Sequence, residues 1–107
     1  MPFVAYDLSI ELLTVLRPLL AKLATQDADL ARQVRRAATS APLNLAEGAS
    51  RVGKDRPHFW RIAGGSVREV RAALQSAVAL GFLDGAETRR ADALCDRLGA
   101  LTWGLVR

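Results

Sequence analysis

The sequence predicts an all-α protein, an antiparallel up-down-up-down four-helix bundle that forms a single domain over residues 1–107. Alanine and leucine dominate the apolar half of the chain, whereas β-branched and aromatic residues are sparse. Apolar residues recur at three- and four-residue spacing, and no stretch alternates cleanly at period two. Both observations favour helices, because Ala and Leu have high helix propensity. Short connections between helices of similar length are typical of this bundle topology.

Helix one is predicted over about Tyr6–Ala24, after a short leader at Met1–Ala5. Pro18 lies inside this helix, where proline removes a backbone donor and clashes with the preceding turn, so we expect a kink there. Thr25–Asp27 is the expected connection to helix two. The apolar positions of helix one are Leu8, Leu12, Val15, Leu16, Leu19 and Leu23.

Helix two combines an apolar stripe with a polar stripe beside it. Asp27 or Asp29 can cap its start, and we expect it to continue through Pro42 with a kink and to end near Ala46 or Glu47. Its apolar stripe comprises Leu30, Val34, Ala37, Ala41 and Leu45. A polar stripe beside it spans roughly 60° of the helix surface. That stripe comprises Gln33, Arg36, Ser40, Asn44, Glu47 and Arg51.

Helix three follows a basic loop at Gly48–Arg56 and is expected to have Pro57 in its first turn and to end at Gly81. Gly64 and Gly65 lie in its middle, where each costs about 1 kcal/mol relative to alanine. We therefore expect a neighbouring helix to approach closely at this pair. The predicted buried positions are Phe59, Ile62, Ala63, Ser66, Val70, Ala73, Ala77 and Leu80.

Helix four is expected to follow Asp84 as its cap, with Phe82 and Leu83 covering the end of the bundle. Its main stripe comprises Glu87, Ala91, Leu94, Leu98, Leu101 and Leu105, with Trp103 just beside it. The lone Cys95 lies in this pattern and is interpreted as a small core residue, which fits a reducing cytoplasm. No apolar run is long enough to span a membrane, so no membrane partner is expected.

The chain lacks the residue combinations that most enzymes and metal sites require. It contains one His and one Cys, and His58 has no second His or Cys at ligand spacing. No glycine-rich phosphate loop is present. We therefore expect no catalysis, no metal and no cofactor, and we place His58 at the surface near the start of helix three.

Three segments resemble the four-helix-bundle proteins encoded in intervening sequences of bacterial 23S rRNA genes. The first runs through Gln33, Arg35, Arg36, Ala37, Ala38, Ser40, Pro42, Asn44, Ala46, Glu47 and Gly48. The second runs through Phe59, Ile62, Ala63, Gly65, Ser66 and Glu69, and the third is Leu80–Leu83. The resemblance covers nearly the whole chain and implies the bundle. A related branch, the accessory variability determinants of diversity-generating retroelements, forms pentameric rings that engage reverse transcriptase and RNA. The resemblance therefore implies a ring-like homopentamer and RNA, a reverse transcriptase or another protein as partners.

The formal net charge of +4 raises the expectation of a polyanionic partner. All basic residues except Lys22 and Lys54 are arginines, which suit phosphate contacts, although a GC-rich genome would also favour arginine. The candidate nucleic-acid-binding residues are Arg32, Arg35, Arg51, Lys54, Arg56, Arg61, Arg68 and Arg71. An ordinary solvated face is the competing interpretation. Only Phe59 and Trp60 are near enough in sequence to stack on bases, so binding would be driven by the phosphate backbone.

A second set is interpreted as a structural motif: Arg36, Ser40, Pro42, Asn44, Glu47 and Gly48. Asn44 and Glu47 could bind a ligand or RNA, or they could satisfy the backbone near Pro42 and pair with Arg36 or Arg51. We favour the structural interpretation, because a carboxylate beside a guanidinium on one helical stripe normally serves architecture.

The leading functional hypothesis is a non-catalytic, oligomeric accessory protein that binds RNA or another nucleic acid through its basic surface, together with a reverse transcriptase in the retroelement case. The alternative is a structural hub that binds a protein partner and never contacts nucleic acid. Oligomerisation would bury apolar residues left exposed by the bundle, such as Trp60, Trp103 or Phe82, between protomers.

Overall fold

The computed structural model describes residues 3–107, which form four α-helices and no strands. The helices are α1 (Phe3–Gln26), α2 (Ala28–Ala49), α3 (Asp55–Ala79) and α4 (Gly85–Val106). Each helix packs against the next one along the chain, and α4 packs back against α1, so the four helices enclose one core. This confirms the predicted all-α four-helix bundle. None of these helices combines the length and the apolar character needed to cross a bilayer.

All four helices contribute to the core, with α1 supplying mainly leucines and α2 mainly alanines. Leu12, Leu16 and Leu23 of α1 are almost completely buried, as the spacing predicted. The α2 stripe is confirmed at Val34, Ala37, Ala41 and Leu45, which are buried, whereas Leu30 is only partly buried. Burying each leucine side chain contributes about 1.5–3 kcal/mol to folding, and the alanines let neighbouring backbones approach closely.

The helix ends follow local signals in the sequence. The Asp27 carboxylate accepts a hydrogen bond from the Leu30 amide at 2.9 Å and caps α2. Asp84 and Glu87 form a capping box at the start of α4, in which each side chain accepts from the other residue's amide, at 2.7 and 2.8 Å. Gly81 follows the end of α3 with φ of 79°, a left-handed conformation that favours glycine. These three predictions are confirmed.

Helix α1 is longer than predicted at both ends. The leader prediction was wrong for Phe3–Ala5, which already belong to α1, while Met1 and Pro2 lie outside the described residues. The connection between α1 and α2 is shorter than predicted, because the Asp27 amide still donates to the Leu23 carbonyl at 2.8 Å. Continuation through the internal prolines is confirmed for both helices.

The predicted end of α2 near Glu47 was also wrong, because the helix continues through Gly48 to Ala49. Gly48 is helical, so its role is not to terminate the helix. It lies against Trp60 of α3, and a Cβ atom on Gly48 would stand 2.5 Å from the indole Nε1. The indole N–H donates to the carbonyl of Leu45 at 3.2 Å. The glycine is therefore required by the close approach of α3.

Trp60 was expected to be exposed and available between protomers, and this expectation was wrong. Only 7% of Trp60 is exposed, because the missing side chain of Gly48 leaves room for its ring. The burial of Trp60 also rotates the core stripe of α3 relative to the prediction. Ile62 and Leu80 are 39% and 61% exposed rather than buried. The buried positions are instead Trp60, Ala63, Gly64, Val67, Val70, Leu74 and Ala77.

The predicted close approach of a neighbouring helix to the glycine pair of α3 occurs at one of the two glycines. A Cβ atom on Gly64 would stand 3.0 Å from Oγ1 of Thr102, so α4 does approach closely there. A Cβ atom on Gly65 would meet only the guanidinium of Arg68, at 3.8 Å. The close approach therefore depends on Gly64 alone.

We predict that Gly48→Ala destabilises the protein although alanine is the better helix former. The new methyl group would clash with the hydrogen-bonded indole of Trp60, and such overpacking costs about 1–3 kcal/mol. Gly99→Ala is the matched control: Gly99 is also helical, and a Cβ atom there meets nothing within 4 Å. The control should be stabilised by about 0.5–1 kcal/mol. Chemical denaturation of the three proteins measures both changes, and a Gly48→Ala variant as stable as the control would refute the packing argument.

Candidate nucleic-acid interface

Two of the predicted nucleic-acid-binding arginines, one on α2 and one on the loop that follows it, pair with carboxylates of α2. Arg32 forms an ion pair with Asp29, one turn earlier in α2. Arg51 donates through Nε to the Glu47 carboxylate at 2.8 Å, and its guanidinium lies 5.2 Å from the centroid of the Phe59 ring. Glu47 thus pairs with one of its two expected partners.

Arg56 binds the backbone where α2 ends. Its Nε donates to the carbonyls of Gly48 and Arg51, at 3.3 and 3.0 Å, and its Nη2 donates to the carbonyl of Ala49 at 3.5 Å. Carbonyls in the last turn of a helix have no helical partner, so these bonds satisfy them. The guanidinium also lies 5.7 Å from the Trp60 ring. Arg56 therefore fastens the loop to the start of α3.

Arg71 connects α3 to α4. Its Nε and Nη2 donate to the two carboxylate oxygens of Asp92 at 2.9 and 3.3 Å, and its Nη1 donates to Asp96 at 3.2 Å. The hydrogen bond to Asp92 is the main reason that the pKa of Arg71 is raised. Because two carboxylates neutralise it, Arg71 adds little to the positive field around the protein.

The remaining four predicted cations are Arg35, Lys54, Arg61 and Arg68, all exposed. None of them forms an ion pair with another residue in the described range 3–107. Two of these, Arg61 and Arg68, line the same groove between α3 and α4. The candidate interface is therefore centred on this α3/α4 groove.

The α3/α4 groove has a volume of about 210 Å³. Arg61, Gly64 and Arg68 lie on one stripe of α3, and the missing side chain of Gly64 leaves a gap between the two arginines. Thr102 of α4 packs against this gap. The complete lining is Trp60, Arg61, Gly64, Arg68, Thr102, Trp103 and Val106.

Trp103 is the residue of this groove that sequence reasoning missed. It is 65% exposed, so its ring is available at the protein surface beside Arg61 and Arg68. The sequence had offered only Phe59 and Trp60 as stacking residues, because they are the aromatic neighbours along the chain. The position of Trp103 just off the core stripe of α4 was the one signal that could have found it.

A second, polar groove lies between α2 and α3. The hydroxyl of Ser66 donates to Oγ of Ser40 at 2.8 Å, and the Asn44 amide donates to the same oxygen at 3.0 Å and to the Ser40 carbonyl at 2.8 Å. The groove has a volume of about 380 Å³ and is lined by Gln33, Arg36, Ala37, Ser40, Ser66 and Glu69. The first two segments that carry the family resemblance therefore meet here, and their polar side chains join the two helices.

The reactive side chains of the chain do not gather into a site. Within residues 3–107, no group of three His, Cys, Asp or Glu residues is placed to hold a metal ion. Burial raises the pKa of the Cys95 thiol to about 12, so this core residue stays protonated at neutral pH, in agreement with its predicted role. His58 is exposed near the start of α3, as predicted, with its ring edge against Phe59.

The chain matches a known protein family in sequence and a solved structure in fold. The profile of the family described as 23S rRNA-intervening sequence protein matches residues 3–104. The fold is similar to the crystal structure of a protein with unknown function from the S23 ribosomal protein family of Bacteroides thetaiotaomicron, with a TM-score of 0.88. The two chains are 16% identical, and the match covers 96% of this chain and 98% of the other, so it shows the fold alone. No curated protein sequence matches the chain.

We predict that the two tryptophans differ sharply in their accessibility to ionic quenchers. Trp103 is exposed beside the guanidiniums of Arg61 and Arg68, which concentrate anions, whereas Trp60 is buried. Iodide should therefore quench the Trp103 emission more strongly than caesium does at equal ionic strength. Trp103→Phe should leave a blue-shifted emission from Trp60 that resists both ions. Equal quenching of wild type and variant would contradict the exposed position of Trp103.

Proposed function

The chain belongs to the 23S rRNA-intervening sequence protein family, and we propose that it is a non-catalytic, cytoplasmic accessory protein that binds RNA through the exposed basic face of α3. The observation that carries this proposal is the pair Arg61 and Arg68. Both are exposed on one stripe of α3 and unpaired within residues 3–107, whereas Arg56 and Arg71 are held by the fold. Cations that have no internal partner can neutralise an external anion without breaking a bond in the protein.

RNA is the polyanion that this surface suits. Each phosphate that a guanidinium contacts releases counterions, which is the main source of affinity for a nucleic-acid backbone. Arginine also presents a planar fork that matches phosphate and stacks on bases. Arg35 and Lys54 extend the unpaired positive charge onto α2 and the loop that precedes α3.

The non-catalytic part of the proposal is supported by the state of the two most reactive side chains. His58 is exposed at the start of α3, and Cys95 is buried as a protonated thiol. General acid–base or nucleophilic catalysis needs such groups to converge with a second polar group in a cleft.

We propose further that the protein assembles as a ring of five subunits and, in a retroelement setting, engages a reverse transcriptase. Both statements are supported by the resemblance to the intervening-sequence proteins, of which the accessory variability determinants are a related branch. Exposed apolar side chains add support for self-association, since Leu43, Val52 and Leu80 are all more than half exposed, while Phe82 is half-buried. A ring would also repeat the basic face of α3 around one axis and strengthen its field.

The proposed topology is an antiparallel, up-down-up-down bundle. Pairs of contacting residues support it, because as the residue number increases along one helix, the number of the contacting residue on the next helix decreases. On α2 and α3, Leu45 contacts Trp60 while Ser40 contacts Ser66. On α3 and α4, Gly64 lies against Thr102, whereas Arg71 binds Asp92, which is nearer the start of α4.

We predict that the protein binds RNA with strong salt dependence and that Arg61→Gln/Arg68→Gln weakens binding for all sequences alike. The logarithm of affinity falls with the logarithm of salt by about 0.7–0.9 units per neutralised phosphate. Losing two contacts should therefore flatten the slope by about one or two units. Fluorescence anisotropy of a labelled RNA over a salt series measures the slope.

The control for that experiment is Arg17→Gln/Arg89→Gln, which removes the same charge from two other exposed arginines that form no ion pair within residues 3–107. Its slope should stay close to that of the wild type. Equal losses in both variants would show that net charge matters and the face does not. If the wild type shows no salt-dependent binding at low ionic strength, the protein-hub alternative replaces RNA binding.

We predict that light scattering coupled to gel filtration gives a closed oligomer with five times the protomer mass of 11.6 kDa. The exposed side chains of Leu43, Val52 and Leu80 would then be covered by neighbouring subunits rather than by water. The measured mass should not change over a tenfold dilution in the micromolar range. A monomeric mass over that range would refute the assembly.

A further inference from the structure

We propose that the α3/α4 groove receives a single unpaired RNA base, which stacks on the indole of Trp103 while neighbouring phosphates bind Arg61 and Arg68. The inference rests on the proposed RNA-binding function and adds the form of RNA that the protein selects: a single strand or a bulge rather than a continuous duplex.

The size of the groove supports one base. Its volume of about 210 Å³ lies below the roughly 300–1,000 Å³ of pockets that hold drug-sized ligands, so one planar ring system is a suitable occupant. The space exists because of Gly64. A Cβ atom at this position would stand 3.0 Å from Oγ1 of Thr102 and 3.8 Å from Nη1 of Arg68. Any larger residue at position 64 would fill the floor of the groove.

Trp103 provides the stacking surface. Nucleic-acid-binding proteins that accept many sequences stack bases on exposed aromatic rings, which contributes about 1–3 kcal/mol per base. Trp103 is 65% exposed and lies at the edge of a groove that is lined by two guanidiniums. A base that is paired and stacked inside a duplex cannot present its face to this ring, whereas an unpaired base can.

The two arginines are spaced to bind the backbone on either side of that base. Arg61 and Arg68 are seven residues apart, which places their Cα atoms about 10.5 Å apart along the helix axis. Gly64 lies between them, so a strand that contacts both guanidiniums passes directly over the opening of the groove. A base turned inward from that strand meets Trp103.

The groove offers little with which to identify the base. The hydroxyl of Thr102 donates to the Leu98 carbonyl at 2.9 Å, and the Trp60 indole N–H donates to the Leu45 carbonyl at 3.2 Å. Both donors that lie near the floor are therefore already used within the protein. Reading base edges requires unsatisfied donors and acceptors, so we infer recognition of an unpaired base without preference for its identity.

The test compares two fluorescein-labelled RNA duplexes that differ only in one inserted nucleotide: the first is continuous, and the second carries a single bulged adenosine in one strand. Anisotropy titrations with the full-length protein should show at least fivefold tighter binding of the bulged duplex. Trp103→Ala should weaken binding to the bulged duplex by roughly 5- to 100-fold, the equivalent of one lost stacking contact, and remove the preference. Trp103→Phe should retain most of it. The salt slope should not change in either variant, because neither removes a phosphate contact.

Gln75→Ala is the control, since it removes an exposed uncharged side chain near the other end of α3. It should bind both duplexes as the wild type does, and thermal melts should show that all variants fold. Salt-dependent binding that is equal for both duplexes, or that Trp103→Ala leaves unchanged, overturns this inference and leaves the proposed function intact. A changed oligomeric mass for Trp103→Ala places the residue in a protomer contact and also overturns it. Absence of binding to either duplex at low salt overturns both.

Discussion

The contact between the Trp60 ring and the bare backbone of Gly48 sets how α2 and α3 lie together. The indole N–H donates to the Leu45 carbonyl, and a Cβ atom at Gly48 would overlap the ring, so the close fit of the tryptophan depends on glycine at this position. Arg56 then links the start of α3 to the end of α2 by donating hydrogen bonds to the last carbonyls of α2. Once Trp60 points inward, the rotation of α3 is fixed, and the stripe that carries Arg61 turns toward α4.

The parts of the fold that the sequence predicted are those controlled by neighbouring residues. Asp84 caps the start of α4 through the amide one turn later, and Gly81 ends α3 through its own backbone conformation. The rotation of α3 was harder to predict, because Ile62 and Trp60 are both apolar and lie on different faces. Trp60 rather than Ile62 enters the core because Gly48, a dozen residues earlier, leaves room for the indole ring, and Gly48 was expected to lie in the loop after helix two.

The candidate site was harder to predict than the fold, because its properties depend on pairs of helices. An arginine in sequence carries the same charge whether it is paired or not, and only the packing of α4 on α3 gives Arg71 two carboxylates. The same packing brings Trp103 to within one groove of Arg68, 35 positions earlier in the chain. Sequence spacing along one helix could identify the basic stripe, but not the aromatic ring that completes it.

The side of α3 that faces α2 holds the bundle together, whereas the side that faces α4 forms the proposed RNA-binding groove. Toward α2, Ser66 joins Ser40 in the segments that resemble the family, and those polar groups hold the bundle together. Toward α4, the groove is formed by Arg61, Arg68 and Trp103, none of which is among the residues that carry the resemblance. A related chain could therefore keep the whole bundle and lack this groove. Family membership accounts for the architecture, and the ligand that we propose follows from residues outside the positions that carry the resemblance.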